Sequence, residues 1–200
     1  MARQTTEFAD SNPSRVDHSG EPDPSDAQLM AETANGDHQA FSRLVERHQQ
    51  RVWHLAYRSL GDAGEAEDVA QEAFVRLFDA AARYKPTARF TTYLYSIVSR
   101  LCIDRARKHK PRLTQRSDET PTEASPSASL EQAERDRRLH QAIHRLPTKQ
   151  RIAIILRYER ELPLREISQI ISTTPKGVER LLARGRNTLA LQLPDLRDSV

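Results

Sequence analysis

Side chains that could carry covalent or metal chemistry occur in this sequence, but not in working sets. His140 and His144 stand at i, i+4, a spacing at which two imidazoles on one helix face can share zinc. No nearby carboxylate or cysteine completes that ligand set, so no metal is expected. His48 and His54 are out of phase for one helix face and read as ordinary surface or boundary histidines. The single cysteine, Cys102, excludes an internal disulfide and a Cys-rich zinc site. It lies in an apolar run and reads as a small buried hydrophobe. No pair of acids has a recognisable metal or nucleophile spacing, and no Gly-rich phosphate loop is present. The chemistry these residue types do support is recognition by charge and stacking.

That chemistry is concentrated between Asp62 and Arg112. From Asp62 to Asp79, six acids (Asp62, Glu65, Glu67, Asp68, Glu72, Asp79) stand against one base, Arg76. From Arg83 to Arg112 there are nine bases and one acid, Asp104. An acidic helix suits a basic protein partner. A basic helix carrying Tyr93 and Tyr95 suits single-stranded nucleic acid, where bases stack on rings for about 1–3 kcal/mol each and cations follow the phosphates. On charge alone, the better reading is that both stretches are solvated faces of an ordinary helical bundle, with the tyrosines at its core edge.

The elements that position these residues are predicted to be helices. The chain of 200 residues is 37% hydrophobic and 30% charged with six glycines, enough for one or two helical domains with modest cores. Residues 1–24 are polar and acidic and are expected to lack fixed structure. Residues 1–27 hold two arginines and six acids, a net −4 that leaves +7 on the rest of the chain. A helix is predicted from Ser25 or Asp26, with Leu29 and Met30 as contacts. Asp37 caps the next, whose stripe is Phe41, Leu44, Val45, Val52, Leu55 and Ala56, widened by Trp53 and closed by Gly61. The acidic helix buries Val69, Ala70, Ala73, Phe74, Leu77 and Phe78 and leaves Glu67, Asp68, Gln71, Glu72 and Arg76 on other faces. A loop over Tyr84–Arg89 precedes a basic helix that turns Leu94, Ile97, Val98, Leu101 and Cys102 inward. No apolar run approaches the roughly 20 residues that cross a bilayer, and the N-terminus lacks a signal-peptide core. The expectation is a cytoplasmic protein without membrane insertion.

Apolar periodicity disappears over residues 113–130, a Ser, Thr, Pro and Glu-rich stretch expected to be a flexible linker. Helices return from Glu131, with Leu139, Ile143 and Leu146 at helical spacing. Pro147, Pro163 and Pro175 then punctuate three segments as first-turn prolines, and Thr174 is a sound N-cap. Ile152, Ile155 and Leu156 pack with Ile167, Ile170 and Ile171, and Val178, Leu181, Leu182 and Leu189 complete that core. A short helix, a tight break and a longer basic helix read as helix-turn-helix. Arg180, Arg184 and Arg186 would meet DNA, with Lys176 near backbone phosphates.

Three strings in order, EAEDVAQEAFVRLF, FTTYLYSIVSRLCIDRARK and LPTKQRIAIILRYERELPLREISQIISTTPKGVERLLARGRNTL, resemble a bacterial sigma-70 family sigma factor of the extracytoplasmic-function (ECF) type. The resemblance covers about residues 26–193. It implies an all-α fold of two small helical domains. Residues 25–112 would be the region 2 bundle and residues 131–193 the region 4 helix-turn-helix, with residues 113–130 between them. Residues 1–24 and 194–200 would be tails. It further implies no enzyme activity and no cofactor, and a factor that directs promoter recognition, strand opening and transcription initiation. The implied partners are core RNA polymerase, through its β′ clamp helices and β flap, promoter DNA and an anti-sigma factor.

On this resemblance Glu67, Asp68, Gln71, Glu72 and Arg76 would bind polymerase. Lys85, Arg89, Tyr93, Arg100 and Arg105 would meet the −10 element, and Lys176, Arg180, Arg184 and Arg186 the −35 element. The chain departs from the family pattern at Tyr93, where Trp is common, and at Arg100, where Asn is common. Gly177, Glu179, Arg180 and Leu181 also depart from the usual Thr-Val-Lys-Ser-Arg run around Val178. Gly185, inside a helix, costs about 1 kcal/mol relative to Ala and would serve either close packing or approach to DNA. Two other classes of protein fit the sequence less well. A stand-alone helix-turn-helix regulator would leave the acidic and tyrosine-bearing helices idle. A nucleic-acid-processing enzyme would lack a catalytic set.

Overall fold

Helix starts follow the capping chemistry of the sequence. The computed structural model describes residues 23–108 and 130–193. The acidic tail through residue 22, most of the linker and residues 194–200 lie outside the described residues. Helix α1 (Asp26–Ala34) opens on a capping box: Ser25 Oγ accepts from the Gln28 N–H at 3.3 Å, and Gln28 Oε1 accepts from the Ser25 N–H at 2.7 Å. Asp37 caps α2 (His38–Leu60) by accepting from the Gln39 and Ala40 N–H groups. Gly61 ends it at φ +77°, a left-handed conformation that favours glycine. Asp62 caps α3 (Ala63–Ala80), and a 3-10 turn (Ala81–Arg83) leads through the expected loop to α4 (Phe90–Lys108).

The second half contains α5 (Leu130–His144), α6 (Thr148–Ile154), α7 (Leu164–Ile170) and α8 (Pro175–Gln192). Thr174 caps α8 with Pro175 at its first position. Pro147 and Pro163 instead occupy the cap positions of α6 and α7, one residue earlier than a first-turn proline. The segment after α6 was expected to continue as α-helix; it widens into a π turn over Ile155–Glu159. Ile152 through Leu156 are all buried, and five consecutive residues exceed what one α-helical face can bury. The Arg160 N–H donates to the Ile155 carbonyl at 3.2 Å, and Glu161 at φ +54° stops the turn.

In the first half α2 is central, packed by α1, α3 and α4. Leu29, Met30, Leu44, Val52, Leu55, Leu77, Leu94 and Val98 are fully buried there, each worth about 1.5–3 kcal/mol against exposure. Two expectations fail at its margins. Phe78 is 38% exposed, its ring edge-on to Phe41 at 5.0 Å. It lies about 100° around α3 from buried Leu77, at the edge of the packed stripe. His48 is buried rather than at the surface, because α1 crosses α2 above it. Its Nε2 meets Asp26 Oδ2 at 2.9 Å, and its ring lies on Phe90.

The two halves touch. One apolar cluster runs from Leu29 to Leu182, and α4 packs against α6 and α7. Around it, Arg58 pairs with Glu159, and Arg151 donates to the Ser59, His144 and Leu146 carbonyls. His144 covers Gly61 so closely that a Cβ there would lie 2.9 Å from its ring.

Candidate protein and nucleic-acid interfaces

The residues expected to bind polymerase share the outer side of α3. Glu67, Asp68, Gln71 and Arg76 are exposed and Glu72 is partly so. Gln71 donates to Glu67 at 3.1 Å, and Arg76 pairs with Glu72 at 2.6 Å. Val75, 60% exposed, sits inside this polar arc, with Phe78 beside it. Sequence reasoning missed Val75, although its place between Gln71, Glu72 and Arg76 puts it on their face.

Helix α4 sorts its expected contacts into two groups. Arg89, Tyr93 and Arg100 recur at spacings of four and seven and form one row; exposed Arg107 continues it. Tyr93 is half-buried, tilted against Tyr84 with ring centres 5.2 Å apart. Tyr84 in turn meets Phe90 edge-on, so a small aromatic cluster backs the row. Tyr95 is 4% exposed and belongs to the core. Lys85 is exposed in the preceding loop. Arg105 lies about 140° off the row, by helix geometry. Its Nε meets Glu65 Oε2 at 3.1 Å and its Nη1 meets Asp68 Oδ2 at 3.2 Å. It therefore links α4 to the acidic helix.

On α8, Arg180 and Arg184 border an open cavity of roughly 270 Å³ with Lys149, Ile171, Thr173, Gly177 and Leu181. Lys149, from α6, was not anticipated; nothing in the periodicity places it beside α8. Lys176 is exposed in the first turn of α8. Arg186 lies on the opposite flank, where its Nη1 donates to the Tyr158 hydroxyl at 3.1 Å. Gly185 is a packing glycine: a Cβ there would meet Ile154 Cγ1 at 3.2 Å and Cδ1 at 3.3 Å.

Two ionisable groups, half-buried Asp26 and buried Cys102, belong to the scaffold. Burial works to raise the Asp26 pKa, but the hydrogen bond and charge of His48, with those of Arg47, outweigh it and hold the carboxyl below its ordinary value. Burial pushes the Cys102 thiol up to about 12 against the smaller opposing effects of Ser59, Arg105 and Arg151. Among the described residues no group of three or more His, Cys, Asp or Glu side chains could hold a metal, and no helix is long and apolar enough to cross a membrane.

A four-helix bundle with opposed acidic and basic faces, followed by a basic helix-turn-helix, has the build of a transcription initiation factor. The Sigma-70 region 2 family model matches residues 44–112, and the Sigma-70, region 4 model matches residues 136–189. The ECF RNA polymerase sigma factor SigW of Bacillus subtilis is 35% identical over 84% of this chain and 96% of its own length. SigM of Mycobacterium tuberculosis is 28% identical over 92% and 93%. The same fold occurs in CnrH, solved in complex with the cytosolic domain of CnrY. That structure is 24% identical and covers 86% of this chain and 99% of that one, with a TM-score of 0.64. It occurs also in the sigma factor RpoE from Bartonella quintana, solved with the anti-sigma factor NepR. There the identity is 16%, the coverage 77% and 96%, and the TM-score 0.59. The chain belongs to the sigma-70 family of RNA polymerase sigma factors, in its ECF group. It binds core RNA polymerase and promoter DNA, directs promoter recognition and transcription initiation, and is not an enzyme.

Proposed function

We propose that this sigma factor divides its work among three surfaces. The arc of Glu67, Asp68, Gln71, Glu72 and Arg76, with Val75 as its apolar centre, takes the β′ clamp helices of core polymerase. Lys85, Arg89, Tyr93 and Arg100 capture the −10 strand and hold it once the duplex opens. Arg105 enters that set only by leaving Glu65 and Asp68. Lys176, Arg180 and Arg184 meet the −35 duplex, and Arg186 a flanking phosphate; the second bundle also meets the β flap. The factor works in the cytoplasm, and an anti-sigma protein is its antagonist.

The acidic arc of α3 carries this reading. Five polar side chains and an exposed valine lie on one side of a helix whose other side is fully packed. A basic protein surface with an apolar patch complements that arrangement. The test is co-elution of the purified protein with bacterial core RNA polymerase on gel filtration. Wild type is expected to co-elute, and Glu72→Lys to elute separately with unchanged helicity by circular dichroism. Co-elution of the lysine variant at wild-type yield would remove α3 from the interface.

A further inference from the structure

Three cations without a carboxylate partner stand around one cavity of the second half. Lys149 comes from α6, and Arg180 and Arg184 come from α8. Among the described residues none of the three makes an ion pair, whereas Arg58, Arg76 and Arg105 each meet an acid. Glu179, next to Arg180 in sequence, lies about 160° around α8 from Gly177 and away from the cavity. Like charges gathered without an acid repel one another, so their shared opening suits an anion brought by a partner. Gly177, Arg180 and Arg184 recur at spacings of three and four along one face of α8.

The same cavity is bordered by Thr173, which is exposed and whose hydroxyl no other group bonds among the described residues. Its backbone is fixed. The Thr173 N–H donates to the Ser168 carbonyl at 2.9 Å, after a turn in which Ser172 takes the left-handed φ of +51°. Its side chain lies directly over Gly177. A Cβ on Gly177 would overlap Thr173 Oγ1 and stand 3.4 Å from its Cγ2. The Thr common in the family at this position would carry that Cβ, so the arrangement belongs to this chain. The Gly177 N–H is already taken by Thr174 Oγ1 at 3.0 Å, so the start of α8 does not supply this donor. An ammonium, two guanidiniums and a hydroxyl around one opening match the acceptor oxygens of a phosphate.

We propose that this cavity seats one backbone phosphate of the −35 duplex, that Lys149 and the Thr173 hydroxyl bind it with Arg180 and Arg184, and that Gly177 is the positioning residue that holds the hydroxyl there. The inference rests on the assignment of α8 to that duplex. The test uses holoenzyme reconstituted with core polymerase, and a promoter duplex that the wild-type holoenzyme selects from a random library. Affinity is measured at several salt concentrations.

Lys149→Ala should weaken binding and lower the slope of log affinity against log salt by about one. Thr173→Ala should weaken it by about threefold and leave the slope unchanged, because a hydroxyl carries no charge. Thr173→Ser, which keeps the hydroxyl, should bind as wild type does. Gly177→Ala should keep wild-type helicity by circular dichroism yet weaken binding as much as Thr173→Ala, and the two together should be no weaker than either alone. An uncharged methylphosphonate placed at each −35 linkage in turn should reveal one linkage at which Lys149→Ala and Thr173→Ala no longer matter. If Gly177→Ala binds as wild type, or weakens binding further in the Thr173→Ala background, the positioning role is overturned. If Lys149→Ala keeps the wild-type slope, or no linkage cancels its effect, the phosphate seat is overturned. Arg184→Ala separates this idea from the one beneath it. A lower slope in that variant with none in Lys149→Ala removes the seat and leaves α8 on the duplex, whereas unchanged slopes in both remove α8 as well.

Discussion

The clearest residue-scale device is the knot of Asp26, Arg47 and His48 that fastens α1 to α2. Arg47 reaches both Asp23 and Asp26, and His48 is buried beneath. Because the folded Asp26 pKa lies below its unfolded value, this contribution is present above the unfolded value, near 3.9. It is lost as pH falls through the folded pKa. Asp26→Asn is therefore expected to cost about 1–2 kcal/mol at pH 7, a figure kept low because the group is partly solvated. Urea denaturation of both proteins should show that difference shrink as the pH is taken well below 4. Gly185 gives a second prediction. Alanine there gains about 1 kcal/mol of helix propensity but must push Ile154 aside. Overpacking typically costs about 1–3 kcal/mol, so Gly185→Ala should be neutral to destabilising. Adding Ile154→Val should recover stability in a double-mutant cycle.

At the scale of elements, capping residues and apolar stripes were legible in the sequence. Asp37 and Thr174 cap the helices expected of them, Ser25 caps the helix predicted to begin at Ser25 or Asp26, and Asp62 caps α3. The π turn was not legible, because a run such as Ile152–Leu156 fits an ordinary helix until it is known that two packed surfaces compete for it. The site residues were legible as groups but not as partners. Composition marks α4 as basic, yet only tertiary packing turns Arg105 toward Glu65 and Asp68 and away from the row of Arg89, Tyr93 and Arg100. On α8, Arg184 shares an open cavity with Lys149 and Arg180, the surface proposed here for the −35 duplex. Arg184→Ala should weaken promoter binding and reduce the slope of log affinity against log salt by about one. Filter-binding or polarisation titrations at several salt concentrations would measure it. An unaltered slope would remove Arg184 from the phosphate contacts.

At the scale of the whole molecule, the stretch at residues 113–130 lies between the two matched sigma regions, but nothing in the sequence reports that these regions touch. Ion pairs such as Arg58–Glu159 and Arg89–Glu166 join residues 101 and 77 positions apart, and no local periodicity encodes them. Partly exposed pairs of this kind are worth about 0.2–1 kcal/mol each, so most of the adhesion rests on the apolar contact of α4 with α6 and α7. An adhesion carried by apolar area rather than by charge is little touched by salt and weakens on cooling. The two halves should therefore hold together at ionic strengths that strip the chain from DNA, and loosen first in the cold.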